Sequence, residues 1–204
     1  MARMARAGSP RAARARSLGD MTSAIAGVVV RDATLEDAEA IAHVEVMTWQ
    51  ATYAGLLPTE LLAGMSVARA HARWLRGIGM SSRPSSTYVV LVAEVAGSVV
   101  AIASGSAHRG SSRMARLDML YVLPHFQGLG AGGALLAAFA TRMSDAAVTA
   151  LWVEVLAKNM PARGFYKRRG ALELSRTWTF FGTKPVVVVA YGWSLPDGIA
   201  RITR

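Results

Sequence analysis

Residues 120–136 read LYVLPHFQGLGAGGALL and decide the fold of this chain. The stretch begins in an apolar run over residues 117–123, which predicts a β-strand that ends at Pro124. It then passes through four glycines in six positions and continues into an Ala/Leu run over 134–143, which is typical of a helix. Free backbone N–H groups and the positive dipole end of such a helix converge on the glycines. The stretch therefore predicts a strand–turn–helix unit that binds an anionic group.

Three other interpretations compete for the glycine-rich turn. A Walker loop ends in Gly-Lys-Ser/Thr, and this interpretation fails because Gly133 is followed by Ala134. The spacing Gly128-x-Gly130-x-x-Gly133, with Glu154 about twenty residues on, fits a dinucleotide-binding fingerprint. Four residues separate the predicted strand from the first glycine, and only fifty residues follow Glu154, so the dinucleotide interpretation is kept as a minor alternative. The third interpretation is a tight turn that binds nothing.

The sequence around this unit predicts a mixed α/β sheet. A capping box at Thr34 and Asp37 opens a helix that runs to about Trp49, and Pro58 starts a second helical region. Two further helices are predicted over 134–143 and 159–169. The predicted order is β-α-α-β-β-β-α-β-α-β-β, without an internal repeat. The strands are expected at 28–30, 87–96, 98–107, 117–123, 149–156, 171–181 and 185–193.

Composition predicts one folded domain with an appendage. The 204 residues are 52% apolar and 18% charged, which is enough to bury a single core. Residues 1–20 hold five arginines and one aspartate without apolar periodicity, so they are expected to be a disordered tail. Residues 21–204 are expected to form the domain, and Met21 is an alternative translation start. Residues 21–204 hold 18 basic and 12 acidic residues, and their net charge of +6 favours an anionic ligand. A nucleic-acid binder that works through the arginine tail is the less favoured alternative.

Several classes of protein are excluded by what the chain contains. Without cysteine it has no disulfide framework, no thiol nucleophile and no zinc site that needs thiolates, and its four histidines lack a paired spacing for metal. The uncharged run from Met119 to Thr141 contains Pro124 and four glycines, so it is not a membrane helix. The N-terminus lacks the apolar core of a secretory signal, which predicts a cytoplasmic location.

Two motifs in order identify a family resemblance. Residues 120–136, with Val122, Pro124 and the Gln-Gly-x-Gly-x-Gly that starts at Gln127, resemble the acyl-coenzyme A signature of the GNAT N-acyltransferase superfamily. Residues 159–170 read NMPARGFYKRRG and resemble the second signature of that superfamily. The similarity extends over roughly residues 28 to 193. It implies a single α/β (α+β) domain with a mixed, mostly antiparallel sheet, splayed central strands and flanking helices.

The resemblance also implies where acetyl-CoA binds as the co-substrate. The pyrophosphate is expected on backbone N–H groups of the turn, and the pantetheine arm between the strands at 117–123 and 149–156. The amide of Val122 is expected to polarise the thioester carbonyl. The coenzyme-binding residues implied in this way are Leu120, Tyr121, Val122, Gln127, Gly128, Leu129, Gly130, Ala131, Gly132, Asn159, Ala162 and Phe165. Asn159 has an alternative role as a helix cap.

For catalysis the resemblance implies direct attack of a deprotonated amine on the thioester. Tyr166 is expected to protonate the departing thiolate as a phenol of ordinary pKa, although its helix face also allows a role in the core. The base is left open between Asp118 and Glu154, which lie on the two strands that flank the reaction centre. Strand alternation predicts that Asp118 shares a face with Leu120 and Val122. His108 and His125 are lesser candidates.

The acceptor is expected to be a primary amine of a small molecule or peptide. In this superfamily the first two helices and the last strands select the acceptor, which places Trp49 and Tyr53 at the substrate site or, alternatively, in the core. Trp178 and Phe180 are further aromatic candidates. No acidic cluster for a polyamine or aminoglycoside is present in that region. A homodimer follows only from the resemblance, and a non-catalytic acyl-CoA sensor is the alternative to an enzyme.

Overall fold

A seven-stranded mixed sheet with helices on both faces forms the protein. The computed structural model describes residues 27–83, 86–108, 113–195 and 197–202. The tail predicted over residues 1–20, and with it the question of the start at Met1 or Met21, lies outside these residues. The strand order is β1-β2-β3-β4-β5-β7-β6, and β4 with β5 is the parallel pair among antiparallel neighbours. This confirms the predicted α/β fold. The strands are β1 Val29–Asp32, β2 Tyr88–Val95, β3 Ser98–Ala107, β4 Met114–Val122, β5 Ala150–Leu156, β6 Leu172–Phe181 and β7 Lys184–Ser194.

The helices follow the prediction, with two differences. The helical region predicted after Pro58 is two helices, because the first ends at Gly64 and Ser66 caps the second by accepting a hydrogen bond from the Arg69 amide (3.4 Å). A last helix, which was not predicted, follows β7. The helices are α1 Ala38–Tyr53, α2 Thr59–Ala63, α3 Val67–Ser81, α4 Ala131–Asp145, α5 Met160–Arg168 and α6 Ile199–Ile202.

The sheet separates two apolar cores. One core contains α4, whose buried Leu135, Leu136 and Phe139 pack on the central strands. The other contains α1 and α3, where Ile41 and Trp74 are buried against the opposite face. Burial on both faces explains why β2 and β3 read as nearly continuous apolar runs.

A β-bulge in β4 changes the direction of one candidate base. Ser104 pairs with Met119 and the next residue, Gly105, pairs with Leu117, so Asp118 is an extra residue without a partner on β3. A Cβ on Gly105 would overlap the Arg116 carbonyl, so only glycine fits opposite the bulge. Leu117 and Leu120, three residues apart, consequently pack into the same core.

The bulge corrects the expectation of strict alternation along β4. Because the extra residue reverses the pattern, Asp118 does not share the face of Leu120 and Val122. Its carboxylate instead lies beside the guanidinium of Arg116, with Nε and Oδ1 3.2 Å apart.

Glu45 on α1 joins α1 to α3 through a buried carboxylate. Its oxygens accept two hydrogen bonds from Arg73 Nη2 (2.6 and 2.7 Å) and one from Trp74 Nε1 (2.7 Å). Glu45→Ala would leave the buried indole N–H of Trp74 without a partner. We expect it to lower the free energy of unfolding by about 2–3 kcal/mol in urea denaturation.

The matched control is Asp32→Asn, which breaks the exposed pair between Asp32 and Arg142. An exposed ion pair contributes only ~0–1 kcal/mol, so this variant should unfold close to wild type. An equal loss of unfolding free energy in the two variants would show that the buried contact stabilises the protein no more than the exposed ion pair does.

Candidate active site

The sheet opens between its two parallel strands. β4 and β5 pair from Met114 with Ala150 to Leu117 with Val153, and beyond that point they separate. β4 continues along β3, whereas β5 continues along β7. The opening leads into a cavity of about 1100 Å³ whose walls include both strands, the glycine-rich turn, α1 and α5.

The glycine-rich turn forms one end of this cavity. Gly128 and Gly130 have φ values of +78° and +91°, which side chains on L residues rarely adopt, and open space surrounds both. Helix α4 begins at Ala131 directly after Gly130. Within the described chain, the amides of residues 128–133 have no backbone carbonyl partner, while the Ala134 amide donates to the Gly130 carbonyl (3.0 Å). The turn therefore presents free N–H groups and a helix N-terminus to an anion.

The amide of Val122 points into the opening. Leu123 N donates to Val100 O across the β3–β4 ladder (3.0 Å), which makes the neighbouring Ala101–Val122 pair a non-hydrogen-bonded pair. The peptide groups of Val122 consequently face away from β3. Its carbonyl accepts from Gln127 Nε2 (3.0 Å), which fixes the turn to the end of β4.

Two cations at the end of α5 border the end of the cavity that the glycine-rich turn forms. Arg168 and Arg169 line it, and a Cβ on Gly133 would overlap the Arg169 guanidinium. Arg169 Nη1 donates to the Ile202 carbonyl (2.7 Å), and its guanidinium lies over the Phe165 ring (4.9 Å to the centroid). Burial lowers the pKa of Arg169, and neighbouring Arg168 adds to this. Sequence reasoning missed both arginines, although the basic run 167–169 was a visible signal.

Tyr166 is both a core residue and a wall of the cavity. Its ring is buried and packs against Phe165, Tyr191 and Trp193, with centroids 5.2, 6.3 and 5.8 Å away. The residue also lines the cavity between the strands. Burial raises the pKa of the Tyr166 phenol well above its ordinary value, which departs from the expected unperturbed phenol. The hydroxyl therefore stays protonated through the neutral range.

Asn159 caps α5 and also reaches the cavity. Its Oδ1 accepts from the Ala162 amide (3.2 Å), which confirms the capping role. Tyr53 on α1 lies nearby on the wall, and burial raises the pKa of its phenol.

The two candidate bases share one arginine. Arg116 Nε lies 3.2 Å from Asp118 Oδ1, and Arg116 Nη2 lies 3.1 Å from Glu154 Oε2. The guanidinium also lies over the Trp152 ring, 4.9 Å from its centroid. Burial raises the pKa of Asp118, and the charge of Arg116 opposes this. Both carboxylates line the cavity, and the bridging arginine was not predicted.

Most of the predicted site residues come together here. Trp49 does not line the cavity, because it packs in the core against Tyr53, with centroids 4.9 Å apart, and against Phe181. His108 and His125 are also outside the lining, as are Leu129 and Ala131 of the turn. The cavity is lined by the predicted residues Tyr53, Asp118, Leu120, Tyr121, Val122, Gln127, Gly128, Gly130, Gly132, Glu154, Asn159, Ala162, Phe165 and Tyr166.

Fold and site together define an α/β acyltransferase. The chain belongs to the Acetyltransferase (GNAT) family, whose sequence model matches residues 47–171. An uncharacterized N-acetyltransferase of Bacillus subtilis (strain 168), YuaI, is 32% identical over 142 residues, which are 69% of this chain and 78% of that protein. Family and relative thus agree on acyl transfer.

Solved structures have the same fold. The PaiA N-acetyltransferase from Thermoplasma acidophilum, in complex with coenzyme A, superposes with a TM-score of 0.68 at 18% identity and covers 82% of this chain and 99% of that one. YncA from Salmonella typhimurium, with acetyl-CoA, gives a TM-score of 0.62 at 16% identity over 84% and 95%.

The described residues lack a membrane-spanning helix and a cluster of metal ligands. None of their helices is long and apolar enough to cross a membrane. The same residues hold no group of three His, Cys, Asp or Glu side chains arranged for a metal ion.

Proposed function

We propose that the protein transfers the acetyl group of acetyl-CoA to a primary amine by direct attack. The observation that carries this proposal is the single cavity that joins the free N–H groups of the glycine-rich turn to Tyr166 and two carboxylates. An anion site, a proton donor and a proton acceptor in one opening are the groups that this reaction needs.

The residues present fit the coenzyme. The open space over Gly128 and Gly130 admits a pyrophosphate to the backbone amides, and Arg168 and Arg169 supply positive charge beside it. The pantetheine arm would pair with the exposed edge of β4 as an added strand does. Contacts with the arm are assigned to Leu120, Tyr121, Asn159, Ala162 and Phe165.

The Val122 amide and Tyr166 then act on the thioester. The Val122 N–H, which faces the opening, donates to the carbonyl oxygen as negative charge develops there. The amine nitrogen forms a bond to the carbonyl carbon, and the carbon–sulfur bond breaks. The departing thiolate takes the phenolic proton of Tyr166, and the nitrogen gives its proton to a carboxylate. Tyr166 is reprotonated from solvent before the next cycle.

Asp118 is the favoured carboxylate. Its pKa is raised by burial toward the range in which a base works near neutral pH, and Glu154 is the alternative. A base must be deprotonated, so kcat/KM falls as the pH is lowered through the pKa of Asp118.

Arg116→Gln tests, through the pH profile, whether the base is a carboxylate paired with Arg116. The substitution removes the positive charge that holds the pKa of Asp118 down, so the acid limb of kcat/KM should move to higher pH by about one unit. Profiles of wild type and variant are measured with the same amine, which keeps the titration of the substrate constant. Arg142→Gln, which removes an arginine from an exposed pair, is the control. An unmoved acid limb would contradict a role for Asp118 as base.

Thiol release from acetyl-CoA, followed over a panel of primary amines, tests the reaction itself. Amine-dependent release supports the proposal, whereas tight acetyl-CoA binding without release for any amine would favour a sensor. The cytoplasmic location and the homodimer stay predictions, and nucleic-acid contact by the arginine tail stays the less favoured alternative.

A further inference from the structure

A second, smaller cavity adjoins the active site on the side of the last strands. Its volume is about 280 Å³, and it shares Leu56 and Lys158 with the large cavity. The remaining wall comes from the ends of β5, β6 and β7, including Trp178, Pro185 and Val186. The two cavities therefore adjoin at Leu56 and Lys158, and a molecule bound in the large cavity can extend toward the small one.

The small cavity is positively charged. Lys158 and Lys184, two of the three lysines of the chain, line it, and no acidic side chain does. Within the described residues, neither lysine has a carboxylate within 4.0 Å, although six arginines are each paired with one or more carboxylates and Lys167 lies 3.8 Å from Glu173. Two free ammonium groups on one small space attract an anion and repel a polycation.

The walls between the lysines are apolar. Trp178 is 72% exposed, although it lies beside Pro185 and Val186 in the cavity wall. An indole left in water is covered favourably by an apolar group, at roughly 25 cal/mol per Å² of apolar surface. The space is below the roughly 300–1,000 Å³ of pockets for drug-sized molecules, so it suits a single side chain or ring.

We propose that the acceptor is an α-amino acid with an apolar side chain, or a close analogue with the same three groups. This inference rests on the proposed function. The carboxylate binds Lys158 at the boundary of the two cavities and Lys184 beyond it, while the apolar side chain lies on Trp178. The α-amine then points into the large cavity, where it attacks the thioester.

The test compares three amines in the thiol-release assay. L-Phenylalanine carries all three groups, L-phenylalaninamide lacks the carboxylate, and spermidine is a polycation. We expect the KM of the amide to be about tenfold above that of L-phenylalanine, because only the acid carries the carboxylate that contacts the two lysines. Spermidine should be the poorest acceptor of the three.

Three variants test which side chain of the protein contacts which group of the acceptor. Lys184→Gln should raise the KM for L-phenylalanine about tenfold more than the KM for the amide, because only the first substrate loses a contact. Trp178→Ala should raise both KM values together. Lys167→Gln removes the same charge from the exposed side of α5, next to Glu173 rather than the small cavity, and should change neither. Equal effects of Lys184→Gln on the two substrates, or a preference for the amide or spermidine, would overturn the inference.

The two proposals fail in different ways. Thiol release that is equal for the amide and the acid overturns the inference and leaves acetyl transfer standing. Absence of acetyl-CoA binding overturns the proposed function. The carboxylate site at Lys158 and Lys184 is then tested by calorimetric titration with N-acetyl-L-phenylalanine and with its amide. Tighter binding of the acid, lost in Lys184→Gln, supports the site, and equal binding refutes it.

Discussion

Gly130→Asp is expected to raise the dissociation constant of acetyl-CoA by about a hundredfold or more, from backbone strain and charge repulsion together. Gly130 has a φ of +91° and immediately precedes α4. A side chain there is strained, and it would occupy the open space that the pyrophosphate needs. The carboxylate would also place negative charge where the coenzyme brings its own. Calorimetric titration measures the loss directly.

Gly97→Asp is the control that separates the effect of backbone strain from the effect of a side chain placed in the coenzyme site. Gly97 has a φ of +76° in the β2–β3 hairpin and is likewise surrounded by open space, but it lies outside the cavity. The two variants introduce the same residue at a similar backbone angle. Acetyl-CoA should bind Gly97→Asp as it binds wild type, so a comparable loss in both would mean that the turn is only a structural element.

Tyr166→Phe is expected to lower kcat by about a hundredfold, the lower range for loss of a general acid. The dissociation constant of acetyl-CoA should stay within about twofold of wild type, because only a hydroxyl is removed and the ring keeps its packing. The raised pKa of the phenol keeps the proton in place, so the effect should persist across the neutral range. Rapid kinetics with saturating amine and coenzyme give the change in kcat.

Tyr191→Phe is the matched control. Tyr191 is also buried in this aromatic group, but its hydroxyl accepts from Arg163 Nε (3.0 Å) and donates to Glu173 (3.3 Å) outside the cavity. Removing that hydroxyl should cost about 1 kcal/mol of stability and leave kcat near wild type. If Tyr166→Phe behaves like this control, Tyr166 is a core residue and the acid lies elsewhere.

The glycine-rich turn could be predicted because its signals are local. The end of β4 at Val122, the glycines and the start of α4 lie within a few residues of one another, so their order fixes the structure. Asn159 as the cap of α5 is local in the same way. The separation of β4 from β5 was predicted from the family resemblance rather than from a local signal.

The charged groups of the site could not be predicted because they depend on distant pairs. Arg116 lies beside Glu154 because β4 pairs in parallel with β5. It lies beside Asp118 because of the bulge in β4, and no residue of β4 indicates that bulge in the sequence. Arg169 lies over Gly133 for a similar reason. Periodicity describes one element at a time, whereas these contacts depend on register between elements.

The topology decides against the dinucleotide alternative. A dinucleotide fold needs successive parallel βαβ units, and here the strands before the turn form antiparallel pairs. Glu154, the expected ribose ligand, is instead paired with Arg116.

Calorimetric titration of acetyl-CoA and of NADH into the full chain distinguishes a coenzyme A site from a dinucleotide site. A coenzyme A site between β4 and β5 should give micromolar binding of acetyl-CoA, no measurable binding of NADH, and loss of the acetyl-CoA signal in Gly130→Asp. Binding of NADH in preference to acetyl-CoA, or binding of neither ligand, would contradict a coenzyme A site between β4 and β5.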